Sequence, residues 1–84
     1  MYRIVPDESI DDQLDALDHG ALVAYAEVLA LLEISPQSGL PYNEARPDGP
    51  MRQIAFGGDD QGLVVYLVLE RDREVDILSV VWAG

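Results

Sequence analysis

The hydrophobic pattern of the chain changes period near its middle. In the first half, apolar residues recur every three to four positions, whereas from residue 51 onwards they alternate with polar residues or form short runs. The first pattern is typical of helices with one buried side, and the second is typical of β-strands. The sequence therefore predicts two helices followed by three strands, with one further short strand at residues 2–5.

The two predicted helices differ in character. In residues 8–17, apolar side chains at i, i+4 and i+7 from Ile10 form a narrow stripe, and three aspartates occupy the other side. Residues 21–34 contain only two charged side chains, so we expect this helix to be buried on most sides. Asp7 and Asp18 precede the helices and are predicted to cap their first turns.

Three strands are predicted in the second half, at residues 51–56, 62–69 and 75–82. Each is rich in β-branched and aromatic residues, and the short polar segments between them suit hairpin loops. The middle strand is apolar on both faces and should be central, with the N-terminal strand at an edge. The prediction is one α+β domain over residues 1–84, ordered β-α-α-β-β-β, with a helical hairpin on a mainly antiparallel sheet.

Charge and composition exclude several classes of function. The chain has five arginines, no lysine, sixteen acids and a formal charge of −11, which disfavours generic binding to nucleic-acid phosphates. It has no cysteine and one histidine, so we predict neither a metal site nor a cofactor. Without a signal-like N-terminus or a membrane-length apolar run, we expect a cytoplasmic protein that does not enter membranes.

Four residues are candidates for a site. Arg46 and Arg52 flank a Pro-Asp-Gly-Pro turn, and strand alternation places Arg52 on the same face as Phe56. A guanidinium there suits a phosphate or carboxylate ligand, although an ion pair with one of the chain's own acids explains it equally. Tyr42 and Trp82 offer rings for a partner or substrate, with core packing as the alternative for Trp82.

Five segments carry a resemblance to a known family: YRIVPDES, the helical region, GLPYNEARPDGPMRQIAFG, GLVVYLVLE and DILSVVWAG. Through these segments, which cover nearly the whole chain, the sequence resembles the RelE/ParE superfamily of toxins from type II toxin-antitoxin modules, especially small actinobacterial members. The resemblance implies a cognate antitoxin as partner, the ribosome or gyrase as target, and ribosome-dependent cleavage of mRNA as activity.

The chain departs from the family at its functional positions. By resemblance, Arg52 matches the family arginine on the strand after the loop and is the one catalytic candidate. Leu63 stands where the family has a basic residue, and Val81-Trp82 replaces a His-Arg or His-Tyr pair. Cleavage through the 2′-hydroxyl needs a base, an acid and cationic stabilisation. We therefore expect weak nuclease activity or none, in a diverged or differently targeted toxin.

The alternative function is a catalytically silent protein-interaction module with the same fold. In either case the excess of acids predicts that the partner's binding segment is neutral or basic. The sequence leaves the cellular target undetermined and a homodimer open.

Overall fold

Residues 1–83 are described by a computed structural model, in which two helices pack on a five-stranded, mostly antiparallel sheet. The predicted fold class is confirmed. The strands follow the order β1-β5-β4-β3-β2 across the sheet, so the predicted central position of β4 is also confirmed. The elements in chain order are β1 (Arg3–Pro6), α1 (Asp11–Asp15), α2 (His19–Ile34), β2 (Leu40–Pro41), β3 (Met51–Phe56), β4 (Gly62–Leu69) and β5 (Glu74–Trp82).

The N-terminal strand β1 lies at an edge as predicted, and it pairs with β5 in parallel. All other strand pairs are antiparallel. The strand predicted at residues 2–5 is shifted by one residue, because Pro6 still pairs in register with Ile77. The next amide, that of Asp7, continues the ladder by donating to the Ile77 carbonyl at 2.9 Å. Proline is tolerated here because the ladder needs no donor from it.

The first predicted helix is shorter than expected and has two parts. A 3₁₀ turn, Glu8–Ile10, precedes the five-residue helix α1. The Asp7 carboxylate caps the 3₁₀ turn by accepting from the Ser9 amide at 3.0 Å. The turn buries Ile10 completely, whereas α1 has no fully buried side chain. Because Ile10 alone supplies the fully buried side chain of this segment, little packing supports a longer helix here.

Helix α2 begins two residues earlier than predicted, and Asp18 caps it by accepting from the Ala21 amide at 2.8 Å. The expectation that α2 is buried on most sides was wrong. Leu22, Val23 and Leu31 are 41–44% exposed, and Ile34 is 72% exposed. A helix lying on one face of a sheet buries a single stripe, which here consists of Ala21, Tyr25, Val28 and Leu32.

The core lies between the helices and one face of the sheet. In β4, Val64, Tyr66 and Val68 point towards the helices and join the buried cluster. Tyr66 is fully buried. Val65 is buried but lies outside that cluster, because alternation points it to the other side. Within residues 1–83 no helix packs on this second side, which we call the open face.

Candidate functional site

Arg52 lies on the covered face of the sheet. It pairs in register with Tyr66, and its guanidinium contacts the loop that links α2 to β3. Nη2 donates to the Gly39 carbonyl at 2.7 Å, and Nη1 makes a longer contact with the Pro47 carbonyl at 3.5 Å. Within residues 1–83 Arg52 forms no ion pair with a carboxylate. The expected intramolecular ion pair is replaced by bonds to backbone oxygen.

The hydroxyl of Tyr66 holds the same loop from the neighbouring strand. It donates to the Pro36 carbonyl at 2.6 Å and accepts from the Gly39 amide at 3.1 Å. Burial raises the pKa of Tyr66, while the contacts with Gly39 and Arg52 oppose that rise. Both polar groups of Gly39 are thus satisfied from the sheet. We call the unit of Tyr66, Arg52 and Gly39 the loop clamp.

Glycine is required at the centre of the loop clamp because the chains approach so closely. A Cβ atom on Gly39 would lie 2.6 Å from the Gln53 carbonyl oxygen and would collide with the Tyr66 hydroxyl. Backbone conformation does not impose the requirement, since the residue has an ordinary extended φ of −78°. Close packing of loop on sheet therefore excludes a side chain here.

The surroundings of Arg52 do not favour an anion. A cavity of about 280 Å³ beside it is also lined by Asp48 and Glu70. The Arg52 Nε atom is buried and has no hydrogen-bond partner. Two carboxylates at the same cavity oppose the binding of phosphate. The catalytic role of Arg52 stays a prediction, and the contacts it makes are those of a loop anchor.

Two of the four predicted site residues are brought together. Tyr42 and Arg46 line a surface groove of about 690 Å³, beside Pro50 and Met51. The Tyr42 ring is 49% exposed, and its amide donates to the Met51 carbonyl at 3.0 Å, which extends the β2–β3 pairing. An exposed ring and a cation in one groove suit a protein or peptide contact. Their binding role stays a prediction.

Trp82 lies at the opposite end of the sheet from this groove. It pairs with Gly62 and stacks on the buried Phe56, with ring centroids 5.5 Å apart and planes at 30°. Gly57, with φ +95°, allows this approach, because a Cβ there would lie 2.9 Å from the tryptophan ring. Trp82 is thus partly buried and closes the end of the core. Its binding role also stays a prediction.

The open face is apolar along the central strand. Along β4 it presents Leu63, Val65 and Leu67. Among residues of β3, β4 and β5, the one basic side chain is Arg52, which points to the covered face. In these three strands no histidine, lysine or arginine therefore reaches the open face.

The open face also carries two acids of β5, Glu74 and Asp76, neither of which was predicted as a site residue. Asp76 pairs with Leu67 in register, and its Oδ1 atom is buried without a hydrogen-bond partner. Contact with Glu74, followed by burial, raises the pKa of Asp76 to about 6. The same contact, followed by the ion pair with Arg3, lowers the pKa of Glu74. The sequence does contain a sign of this site, because Asp76 is an acid between Val75 and Ile77 in an otherwise apolar strand.

Two other kinds of feature are absent from residues 1–83. No three histidine, cysteine or acidic side chains gather there closely enough to hold a metal ion. No helix in this part of the chain has the length and apolar character to cross a bilayer.

Comparison with solved structures finds the isolated E. coli RelE toxin. The two share a TM-score of 0.79 and 17% sequence identity, with 100% of this chain and 86% of that chain covered. No family model matches the sequence. A comparison with curated proteins also finds no match. At this identity the likeness shows the fold, which is the fold that the resemblance predicted.

Proposed function

We propose that this chain is the toxin-like component of a type II toxin-antitoxin module and that a cognate antitoxin neutralises it in the cytoplasm. The supporting observation is the RelE-like fold over the whole chain, with a TM-score of 0.79. One fold serves many functions, so the fold supplies the hypothesis and growth experiments must test it. The candidate target of the proposed toxin is either the ribosome or gyrase.

The chemistry of the site favours a toxin that does not cleave mRNA efficiently. Cleavage needs a base, an acid and cationic stabilisation near the scissile phosphate. The terminal nitrogens of Arg52 are directed at loop carbonyls, and no histidine, lysine or arginine of the three central strands reaches the open face. A formal charge of −11 further opposes docking on ribosomal RNA. We propose that Arg52 holds the loop instead of acting on RNA.

The second candidate function is a catalytically silent protein-interaction module. The apolar open face favours it, because Leu63 and Leu67 are only partly buried and Val81 is 51% exposed. Apolar surface left uncovered on a small domain is typical of a protein-binding site. This candidate shares the partner of the first but has no toxic action of its own.

Induced expression in a bacterial host separates the two candidates. For a toxin, we expect growth arrest that is relieved when the product of a short adjacent gene is co-expressed. Normal growth, with the adjacent product still binding the purified chain, would select the silent module. Normal growth without such binding would refute both.

An RNA assay tests the catalytic part of the proposal. The purified chain and the variant Arg52→Ala would each be incubated with mRNA, with and without ribosomes. We expect both to give the same background cleavage, provided that circular dichroism shows both to be folded. Robust cleavage by the wild type that the variant loses would assign Arg52 to the reaction.

The charge of the chain also predicts how the partner associates. A neutral or basic segment should bind more slowly as salt rises, because the Debye length shrinks from about 30 Å at 0.01 M to about 10 Å at 0.1 M. Stopped-flow measurement with the adjacent gene's product tests this expectation. A strongly acidic partner that binds tightly, or an association rate independent of salt, would contradict it.

A further inference from the structure

The open face carries apolar side chains from the three central strands, with the polar residues Gln53 and Ser79 on either side of Val65. Leu63 pairs with Ala55 on one side and with Val81 on the other, and Leu67 pairs with Met51 on one side. The helices bury their apolar side chains in the opposite face. The open face therefore has the apolar area that a protein partner would cover.

Asp76 supplies an unmatched charge at the margin of this surface. Its Oδ1 atom is buried without a hydrogen-bond partner, next to a small cavity of about 100 Å³ lined by Val5, Asp7 and Leu78. A carboxylate oxygen that is removed from water and lacks a partner is costly, even when the rest of the side chain is only partly buried. A cation reaching this position would recover that cost.

Three of the chain's five arginines have other contacts. Arg3 pairs with Glu74, and its side chain is 71% exposed. Arg73 lies over the Tyr2 ring, 4.6 Å from its centroid, and Arg52 is held in the loop clamp on the covered face. None of these three donates to the free oxygen of Asp76. Arg3 lowers the pKa of Asp76 through space, but Oδ1 itself has no hydrogen-bond partner and is left for a cation of another molecule.

A second copy of the chain does not meet this requirement. Each copy carries a formal charge of −11, so two copies repel at low salt. A two-fold contact through the open face would also bring acids of one copy towards those of the other. The open face is therefore better matched by a partner segment that carries positive charge.

We propose that the open face binds an apolar segment of a partner protein across Leu63, Leu67 and Val81, and that an arginine or lysine of this segment pairs with Asp76. This inference deepens the proposed function, because it gives the chemistry of the antitoxin-like partner. The apolar side chains supply the buried area, and the ion pair sets register and partner choice. An arginine suits best, since its planar fork can satisfy both carboxylate oxygens.

Peptide selection on the intact chain tests the inference without any cognate gene. A phage library of random linear peptides would be selected on the wild-type chain, and enriched peptides would be synthesised for titration. We expect enriched sequences to carry a basic residue among apolar ones. Asp76→Asn should weaken their binding by about tenfold or more, whereas Asp12→Asn, on the exposed face of α1, should leave it unchanged.

A second pair of variants tests the contribution of the apolar side chains to binding. Leu67→Ala on the open face should weaken binding by about tenfold, whereas Leu31→Ala, 42% exposed on α2, should not. Failure to enrich peptides, enrichment of sequences without a basic residue, or equal effects within either pair would overturn the inference. The growth experiment judges the proposed function separately, so each can fail without the other.

Discussion

Replacing Tyr66 by phenylalanine should destabilise the fold through the loop clamp. The substitution removes one oxygen atom and leaves the buried ring in place. That oxygen donates to the Pro36 carbonyl at 2.6 Å and accepts from the Gly39 amide at 3.1 Å. Both partners lie 27 to 30 residues away in the chain, so the loss would loosen the loop from the sheet.

The size of the effect follows from these two bonds. Each hydrogen bond contributes about 1 kcal/mol, and a buried group left without its partner adds up to about 1–3 kcal/mol. Because the loop can move and admit water, we expect Tyr66→Phe to lower the free energy of unfolding by about 2–3 kcal/mol. For a domain of this size that corresponds to a fall in Tm of about 10–20 °C.

Urea unfolding provides the assay, with Tyr25→Phe as matched control. Trp82 is the one tryptophan of the chain and stacks on the core residue Phe56, so its fluorescence reports unfolding. Tyr25 is also buried, at 7% exposure, and burial is the one cause that raises its pKa, which indicates a hydroxyl without a partner. The control should therefore change stability by less than about 0.5 kcal/mol. Equal losses in the two variants would refute the loop clamp as a stabilising unit.

Three further variants test other features. Arg52→Met should cost about 1–2 kcal/mol by urea unfolding, because it loses a charged bond to a loop carbonyl, while the exposed control Arg46→Met should cost almost nothing. The pKa of Asp76 is raised from 3.8 to about 6, so the folded chain keeps a proton in that window and stability falls as pH rises through it. Asp76→Asn should accordingly gain about 1 kcal/mol at neutral pH, after allowance for solvent screening, and this gain should vanish near the lower pKa. Asp18→Ala should lose about 1 kcal/mol of thermal stability with its helix cap, unlike Asp15→Ala at the end of α1.

Local patterns predicted the sheet well. The observed bounds of β3 and β4 coincide with those expected, because runs of β-branched and aromatic residues end at glycine-rich or charged turns. The Asp18 cap was also predictable, since capping involves an amide only three residues away. These features depend on side chains close together in sequence, where propensity and alternation act.

Features that depend on distant partners were not predictable from the sequence. Strand alternation placed Arg52 and Phe56 on one face, but the loop over Arg52 is set by contacts with Gly39, thirteen residues earlier. The exposure of α2 follows from the number of layers in the fold, which no local pattern specifies. The environment of Asp76 depends on Glu74 and on β1, whose parallel pairing brings in the other end of the chain.

That parallel pairing has a consequence for the synthesis of the chain. Arg3 and Glu74 are 71 positions apart, and the entropy cost of closing a loop rises with its length. The antiparallel hairpins of β3, β4 and β5 close over short loops and can form sooner. Ribosomes add about 5–20 residues per second, so β1 must wait several seconds for its partner to be made. Of the five strands, β1 is translated first, yet it has no partner until β5 has been made.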